Sequence, residues 1–150
     1  MANCLMIMGE FDHNIDAKGR LIIPAKFREE LGEHFVVTRG FDGCLSAYSH
    51  ERWAKIDANL RSISLTKKSG RKLSRLILGN AYDCDIDKMG RILIPQTLRD
   101  AAELKKDVVI AGLGDRIEIW DRDRWNAINS PEALDEMTDE ELTDLEGLDL

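Results

Sequence analysis

One motif occurs twice in the chain. Residues 16–28 are DAKGRLIIPAKFR and residues 87–99 are DKMGRILIPQTLR, so Asp, Gly, Arg, an apolar triplet, Pro and a closing Arg recur at an offset of 71. With an offset of 72, VVTRGFDGCLSAYSHERW at 36–53 aligns with VVIAGLGDRIEIWDRDRW at 108–125. About 45 residues are therefore duplicated, and a duplicated unit constrains the fold more strongly than composition does.

Each copy is predicted to contain the same series of elements. A strand with alternating apolar positions leads into a D-x-x-G-R turn, in which Gly19 permits a positive φ. A short strand at 21–23 follows, and Pro24 occupies the first position of a short helix, where a missing N–H is tolerated. The helix ends at Gly32. Two more short strands and a helix beginning near Ser49 complete the unit, as β-β-α-β-β-α.

Neither copy is long enough to bury a core alone. Two copies that exchange strands around a pseudo-twofold axis can share one core, and we expect the strands that contain Ile22, Ile23, Leu93 and Ile94 to form it. The segment between the copies indicates two amphipathic helices, since Trp53, Ile56, Leu60 and Ile63 recur at helical spacing. The predicted organisation is a first repeat at 8–53, a helical insert at 54–78, a second repeat at 79–125, and a helix end with an acidic tail at 126–150.

The distribution of charge alters the meaning of the net charge. The formal charge is −7, which argues against a nucleic-acid partner until the charges are located. Residues 130–150 hold nine acids and no Lys or Arg, so the remaining body has 21 basic and 19 acidic residues and a charge of +2. Between Ala58 and Tyr82 there are six basic residues and no acid. The chain is predicted to be a mildly basic body with an acidic tail.

The cysteines and the apolar runs bear on location. Cys4, Cys44 and Cys84 are odd in number and form no C-x-x-C pair, which favours free buried thiols in a reducing compartment. No apolar run approaches the roughly 18 residues of a membrane span. Residues 1–11 lack a basic leader and a cleavage site, so no signal peptide is predicted. These features favour a cytoplasmic protein without a membrane partner.

Motifs of enzymes and metal sites fail on inspection. DCDID at 83–87 begins like a calcium loop, but its sixth position is Lys88 and its twelfth is Ile94, where Gly and Glu are needed. GLG at 112–114 lacks the third glycine of a dinucleotide loop. The histidines are scattered through the sequence, and no Ser or Cys has a base at a known motif spacing. The sequence predicts no enzyme, no metal site and no cofactor.

The twin D-x-x-G-R-[LI]-x-I-P-x-x-[FL]-R motifs, about 70 residues apart with a helical insert, resemble the MraZ family of bacterial transcriptional regulators, which carry two tandem SpoVT-AbrB domains. The resemblance covers roughly residues 8–129. It implies a mainly β fold with helices (α+β), in which two internal repeats form a pseudo-twofold swapped-hairpin AbrB-like barrel with helices packed outside.

The resemblance also implies a function. Family members act in the cytoplasm and on the nucleoid. They bind double-stranded DNA near the gene cluster for cell division and wall synthesis, including their own gene, usually as repressors. They assemble into ring-like homo-oligomers and recognise short direct repeats. The same properties are therefore expected of this chain.

The family's D-x-x-x-R signature matches 16–20 and 87–91, which makes Arg20 and Arg91 the expected readers of DNA. An Arg fork can bond guanine O6 and N7 together, or a phosphate. The preceding carboxylate can bond the turn backbone or hold the Arg. The residues expected to shape the turns are Asp16, Gly19, Asp87 and Gly90.

Basic neighbours are expected to contact phosphates and to set a salt dependence. Lys18 fits the usual basic residue inside the first turn. The second copy departs from this pattern, because Met89 holds the equivalent position and the lysine is Lys88, so its grip on DNA is expected to be weaker. The further candidates are Lys26, Arg28 and Arg99; for the last two, a solvated helix face is an equal alternative.

Two other functions are compatible with the sequence. The chain could be an AbrB-like antitoxin that autoregulates its operon. Its acidic tail would then neutralise a basic toxin, and the tail's apolar stripe would consist of Leu134, Met137, Leu142 and Leu145. Such antitoxins typically carry one motif and dimerise, whereas here the pairing is internal. The chain could also be a scaffold that binds no DNA.

Overall fold

The fold is that of a computed structural model, which describes residues 7–149. The first copy forms β1 Ile7–Asn14, β2 Arg20–Ile22, α1 Ala25–Leu31, β3 His34–Arg39 and β4 Leu45–Tyr48. α2 His50–Ser64 begins at the end of the first repeat and continues into the insert, which also contains α3 Lys68–Ile77. The second copy forms β5 Tyr82–Asp85, β6 Arg91–Leu93, α4 Gln96–Ala101, β7 Asp107–Gly114, β8 Ile117–Asp121 and α5 Arg122–Ile128, and α6 Asp139–Asp144 lies in the tail. The protein is thus a mixed α+β fold.

The short helices begin one residue later than the sequence predicts. Pro24 has φ −52° and ψ 137°, so it caps α1 from an extended conformation and is not the first helical residue. Its carbonyl accepts hydrogen bonds from the N–H groups of Phe27 and Arg28. Pro95 occupies the same place before α4. Proline suits this position as well, because the cap needs no N–H donor.

The strands pair between the two copies. Six strands form an antiparallel sheet in the order β1-β7-β8-β4-β3-β5, and β2 and β6 form a separate two-stranded ribbon. β1 pairs with β7 from Ile7↔Gly114 to Asn14↔Asp107, and β5 pairs with β3. The first strand of each copy is therefore hydrogen-bonded to the third strand of the other copy.

The expectation of a barrel is wrong, because the six-stranded sheet is open. β1 and β5 are its two edges, and each has one partner within the sheet. Each edge strand runs into a D-x-x-G-R turn that leads to the β2–β6 ribbon. The strands of the ribbon have three residues each and pair with each other outside the six-stranded sheet, although an isolated bridge joins Leu21 to Ile15, the residue after β1.

One core serves both copies. Leu21 and Ile23 from the first copy, and Ile92 and Ile94 from the second, are at most 1% exposed and belong to one cluster of buried side chains. The ribbon strands therefore share a core, as expected. Ile22 and Leu93 are exceptions, because the pleat directs them outward.

The insert forms the two expected helices. Ser49 caps α2 by accepting a hydrogen bond from the N–H of Arg52. Leu60 is buried, whereas Ile63 remains exposed, so the apolar stripe is only partly covered. Among residues 7–149, no helix is both long enough and apolar enough to cross a membrane.

Two of the three cysteines lie in the described part of the chain. Cys44 and Cys84 are free and buried. Burial raises the pKa of the Cys44 thiol to about 12 and that of the Cys84 thiol to about 11, so both stay protonated. Cys4 lies outside the described residues.

Candidate nucleic-acid interface

In the first turn, a single carboxylate binds three donors. Asp16 Oδ1 accepts hydrogen bonds from the N–H groups of Lys18 and Arg20, each at 2.9 Å. Asp16 Oδ2 accepts one from Arg20 Nε at 2.7 Å. The N–H of Gly19 donates to the Asp16 carbonyl, and the N–H of Asp16 donates to the Arg20 carbonyl, both at 3.0 Å. The turn is closed from backbone and side chain together.

The second turn repeats this network. Asp87 Oδ1 accepts from the N–H groups of Met89 and Arg91, and Asp87 Oδ2 accepts from Arg91 Nε, all at 2.9 Å. The N–H of Gly90 donates to the Asp87 carbonyl. Because Met89 contributes only its backbone N–H, the absence of a lysine at this position leaves the turn's shape unchanged.

The hydrogen bonds keep both carboxylates ionised. The Arg20 backbone N–H is the main cause that lowers the pKa of Asp16 from 3.8 to about 2, against the opposing effect of desolvation. The same bond from Arg91 lowers the pKa of Asp87. Each turn thus presents a fixed negative charge beside its arginine.

The arginine forks are held at one end. Asp16 and Asp87 engage only the Nε atoms, and no residue within 7–149 accepts a hydrogen bond from the terminal nitrogens of Arg20 or Arg91. Both side chains are partly exposed. An oriented guanidinium with unengaged terminal donors can bind a guanine edge or a phosphate.

The two helix arginines cross to the opposite copy's turn. Gly19 has φ +88°, and a Cβ there would lie 2.8 Å from Arg99 Cζ. Gly90 has φ +77°, and a Cβ there would lie 2.6 Å from Arg28 Nη1. Arg99 Nε donates to the Ile94 carbonyl, whereas Arg28 Nε is buried without a partner among the described residues. Both arginines therefore pack against a turn, which neither alternative anticipated.

The two turns border clefts of opposite charge. The cleft beside the first turn, of about 500 Å³, is lined by three basic residues, Arg99, Lys105 and Lys106, and by one acid, Asp16. The equivalent cleft beside the second turn, of about 590 Å³, is lined by two basic residues, Arg28 and Lys88, and by three acids, Glu29, Glu33 and Asp87. Their formal charges are +2 and −1. By this formal charge, the first cleft suits a polyanion better than the second does.

Sequence reasoning missed Lys105 and Lys106. Lys105 is partly neutralised, since its Nζ lies 3.5 Å from Asp121 and 3.7 Å from Asp123. Lys106 is exposed and forms no ion pair with a described residue. Lys106 takes the place of Glu33, since the N–H of Ile15 donates to the Lys106 carbonyl and that of Ile86 donates to the Glu33 carbonyl. The charge at this place is therefore reversed between the copies.

The remaining basic candidates lie on the surface. Lys18 and Lys88 are exposed on the two turns, and Lys26 is exposed on α1. Met89, which replaces the first turn's lysine, is 69% exposed. Each turn therefore carries one exposed lysine, and the charge around the two turns differs through the clefts beside them.

The histidines and the acidic segment at 83–87 do not form a metal site in the described residues. His50 Nε2 lies 2.8 Å from Asp83 Oδ1, and the rings of His34 and His50 meet edge to face. Across residues 7–149, no three His, Cys, Asp or Glu side chains converge as a metal site would require.

The comparisons identify relatives along nearly the whole chain. The transcriptional regulator MraZ of Thermoanaerobacter sp. (strain X514) is 51% identical over 93% of this chain and 99% of its own. That of Limosilactobacillus reuteri (strain DSM 20016) is 55% identical over 85% and 90%. These names are those of regulators, in agreement with the expectation of a non-enzyme. The solution structure of PHS018 from Pyrococcus horikoshii is 18% identical over 75% of this chain and 87% of its own, with a TM-score of 0.31, too low to bear on the fold.

The family model described as "MraZ protein, putative antitoxin-like" matches twice, at residues 6–76 and 77–146. The two matches together span most of the chain and follow its internal duplication. The chain belongs to the MraZ family.

Proposed function

We propose that this protein is a sequence-specific DNA-binding regulator, a repressor that acts on the promoter of the cell-division and cell-wall gene cluster, including its own. One observation carries the proposal: two turns with the same hydrogen-bond pattern orient Arg20 and Arg91 through Nε and leave their terminal nitrogens without protein partners among residues 7–149. Free, oriented guanidinium donors beside exposed lysines suit a duplex. The name of the relatives, transcriptional regulator, supports the same function.

The architecture proposed for this function is a pair of swapped hairpins related by a pseudo-twofold axis. The reciprocal pairing of β1 with β7 and of β5 with β3 supports it. The boundaries 8–53, 54–78, 79–125 and 126–150 remain our division of the chain. The antiparallel pairing of β2 with β6 also supports it, because the ribbon that these strands form has one D-x-x-G-R turn at each end.

The proposed partners are short direct repeats upstream of the protein's own gene and further copies of the chain in a ring-like homo-oligomer. Cytoplasmic, nucleoid-associated localisation follows from this function. The antitoxin alternative is not favoured, because the relatives are named as regulators and this chain carries two motifs.

Footprinting on the DNA upstream of the gene tests the proposal. We expect protection of repeated short sequences by the wild-type protein, and no protection by an Arg20→Ala/Arg91→Ala double variant that remains folded. Equal protection by both proteins, or none by the wild type, would contradict the proposal.

A further inference from the structure

The outer face of the β2–β6 ribbon combines two exposed aliphatic side chains with the two turn arginines. Leu21 and Ile92 point inward and are buried, whereas Ile22 is 45% exposed and Leu93 is 59% exposed. Arg20 begins β2 and Arg91 begins β6, so the pleat places each on the same face as the exposed aliphatic residue two positions later.

The register pairs each aliphatic side chain with an arginine. Arg20 lies opposite Leu93, and Ile22 lies opposite Arg91. The four side chains alternate in type around one small face, and this pattern is symmetric about the central Leu21↔Ile92 pair.

A dry contact with another protein surface suits this face poorly. Such a contact would bury two guanidinium groups whose terminal nitrogens have no partner among residues 7–149, and burying unpaired charge is costly. The edges of base pairs offer both chemistries together, since guanine presents two acceptors and thymine presents a methyl group.

We propose that Ile22 and Leu93 contact thymine 5-methyl groups in the major groove while Arg20 and Arg91 bond neighbouring bases. This inference rests on the proposed function and adds a sequence preference to it. The major groove admits a two-stranded β-ribbon, whose strands lie about 4.8 Å apart. The preferred steps then place thymine beside guanine, because each aliphatic residue lies opposite an arginine.

The test removes the methyl groups without changing base pairing. Every thymine in the footprinted duplex is replaced by deoxyuridine, and binding of the full-length protein is measured by fluorescence anisotropy at fixed salt. We expect the wild type to bind the deoxyuridine duplex about fourfold more weakly for each thymine methyl group that the ribbon buries in the natural duplex. The loss of affinity on replacing thymine by deoxyuridine should be smaller for Ile22→Ala and for Leu93→Ala than for the wild type. The Ile22→Ala/Leu93→Ala double variant should bind both duplexes equally.

Leu65→Ala is the matched control, because Leu65 is 83% exposed and lies outside the ribbon. It should retain the full wild-type response to deoxyuridine. Light scattering on each variant checks the assembly.

Three results would overturn the inference without contradicting the proposed function: equal wild-type affinity for both duplexes, an undiminished methyl response in the Ile22→Ala/Leu93→Ala variant, or a loss of assembly in the ribbon variants. Failure of the wild type to bind either duplex would instead overturn the proposed function together with the inference.

Discussion

Each turn depends on the geometry of one aspartate. The Asp16 carboxylate satisfies two backbone donors and fixes the direction of Arg20, and Asp87 does the same for Arg91. Side-chain bonds of this kind give a turn its shape without help from the core. The negative charge reduces the local attraction for phosphate, but it orients the donor that reads the bases.

The pKa of Asp16 predicts a specific dependence of stability on pH. Its value is about 2 in the folded protein and 3.8 in the unfolded reference, so the folded state favours the ionised form. Asp16 therefore stabilises the folded state fully when the pH is above the pKa of the unfolded state, and this stabilisation is lost as the pH falls through the pKa of the folded state. The difference in melting temperature between wild type and Asp16→Asn should be constant near neutral pH and should shrink between about pH 4 and pH 2. A difference that does not change over this range would contradict the account.

The two arginines are predicted to contribute unequally to DNA binding. Each turn carries one exposed lysine, Lys18 or Lys88, but the cleft beside the first turn has a formal charge of +2 and the cleft beside the second has −1. Arg20→Ala should weaken binding to the promoter fragment by about 1–3 kcal/mol for each guanine contact, and by more than Arg91→Ala does. Gel shifts on the two folded variants compare them directly. If Arg91→Ala weakened DNA binding as much as Arg20→Ala or more, the surrounding charge would not determine which arginine contributes more to the affinity.

The sequence predicted the turns because their chemistry is local. Glycine at a positive φ, the aspartate and the arginine lie within five residues. The sequence does not decide between the two alternatives for Arg28 and Arg99, because each of these side chains packs against the turn of the other copy. Lys106 was missed for the same reason, since its neighbour across the cleft is Asp16, 90 residues earlier in the chain.

At the scale of strands and helices, the exchange between copies holds the fold together. β1 has its only sheet partner in the second copy, and β5 has its only sheet partner in the first, within the part of the chain that the structure describes. Main-chain hydrogen bonds beside the ribbon also join the two copies. The N–H of Ile23 donates to the Gly90 carbonyl, and the N–H of Ile94 donates to the Gly19 carbonyl. Either copy alone would leave these groups unpaired.

The separated halves are therefore predicted not to fold as monomers. Residues 6–78 and 79–129, expressed apart, should be unfolded or should dimerise, because a partner copy can replace the missing strands. Circular dichroism and thermal unfolding, with light scattering for mass, give the measurement. Cooperative unfolding of a monomeric 6–78 fragment would contradict the prediction, whereas a dimer would not.

Hydrophobic periodicity and the repeat predict the order of the elements, but they do not predict that the sheet stays open. Hydrophobic alternation identifies strands, and it does not determine which edges remain open. β2 and β6 contain only three residues each, and they pair with each other outside the six-stranded sheet. The outward position of Ile22 and Leu93 depends on the pleat of these strands, which the uninterrupted apolar triplets concealed.

For the whole molecule, the affinity for DNA depends on how many turns bind the duplex at the same time. One chain offers two turns, and contacts of this number are typical of non-specific affinities of roughly 10⁻⁴–10⁻⁶ M. Repetition around a closed ring would place several turns on successive DNA repeats and raise the effective concentration. The acidic tail should lie outside this contact, because α6 and its neighbours would repel phosphate.

The assembly is predicted to be larger than a dimer and independent of the tail. No ion pair joins residues 130–149 to the rest of the described chain. Deleting 130–150 should keep the oligomer and should maintain or strengthen DNA binding. Light scattering on both proteins and titration against one, two and three repeats provide the check. A monomer that binds one repeat as tightly as three would refute the ring.

The central claim is that the paired turns form the molecule's DNA-binding surface. Its most direct test is an equilibrium titration of the Arg20→Ala/Arg91→Ala double variant and the wild type against a duplex from upstream of the gene, at one salt concentration and with unfolding curves for both. The account predicts that the double variant keeps its fold and assembly, and that its affinity falls to that for an unrelated duplex. An affinity equal to that of the wild type would contradict the account.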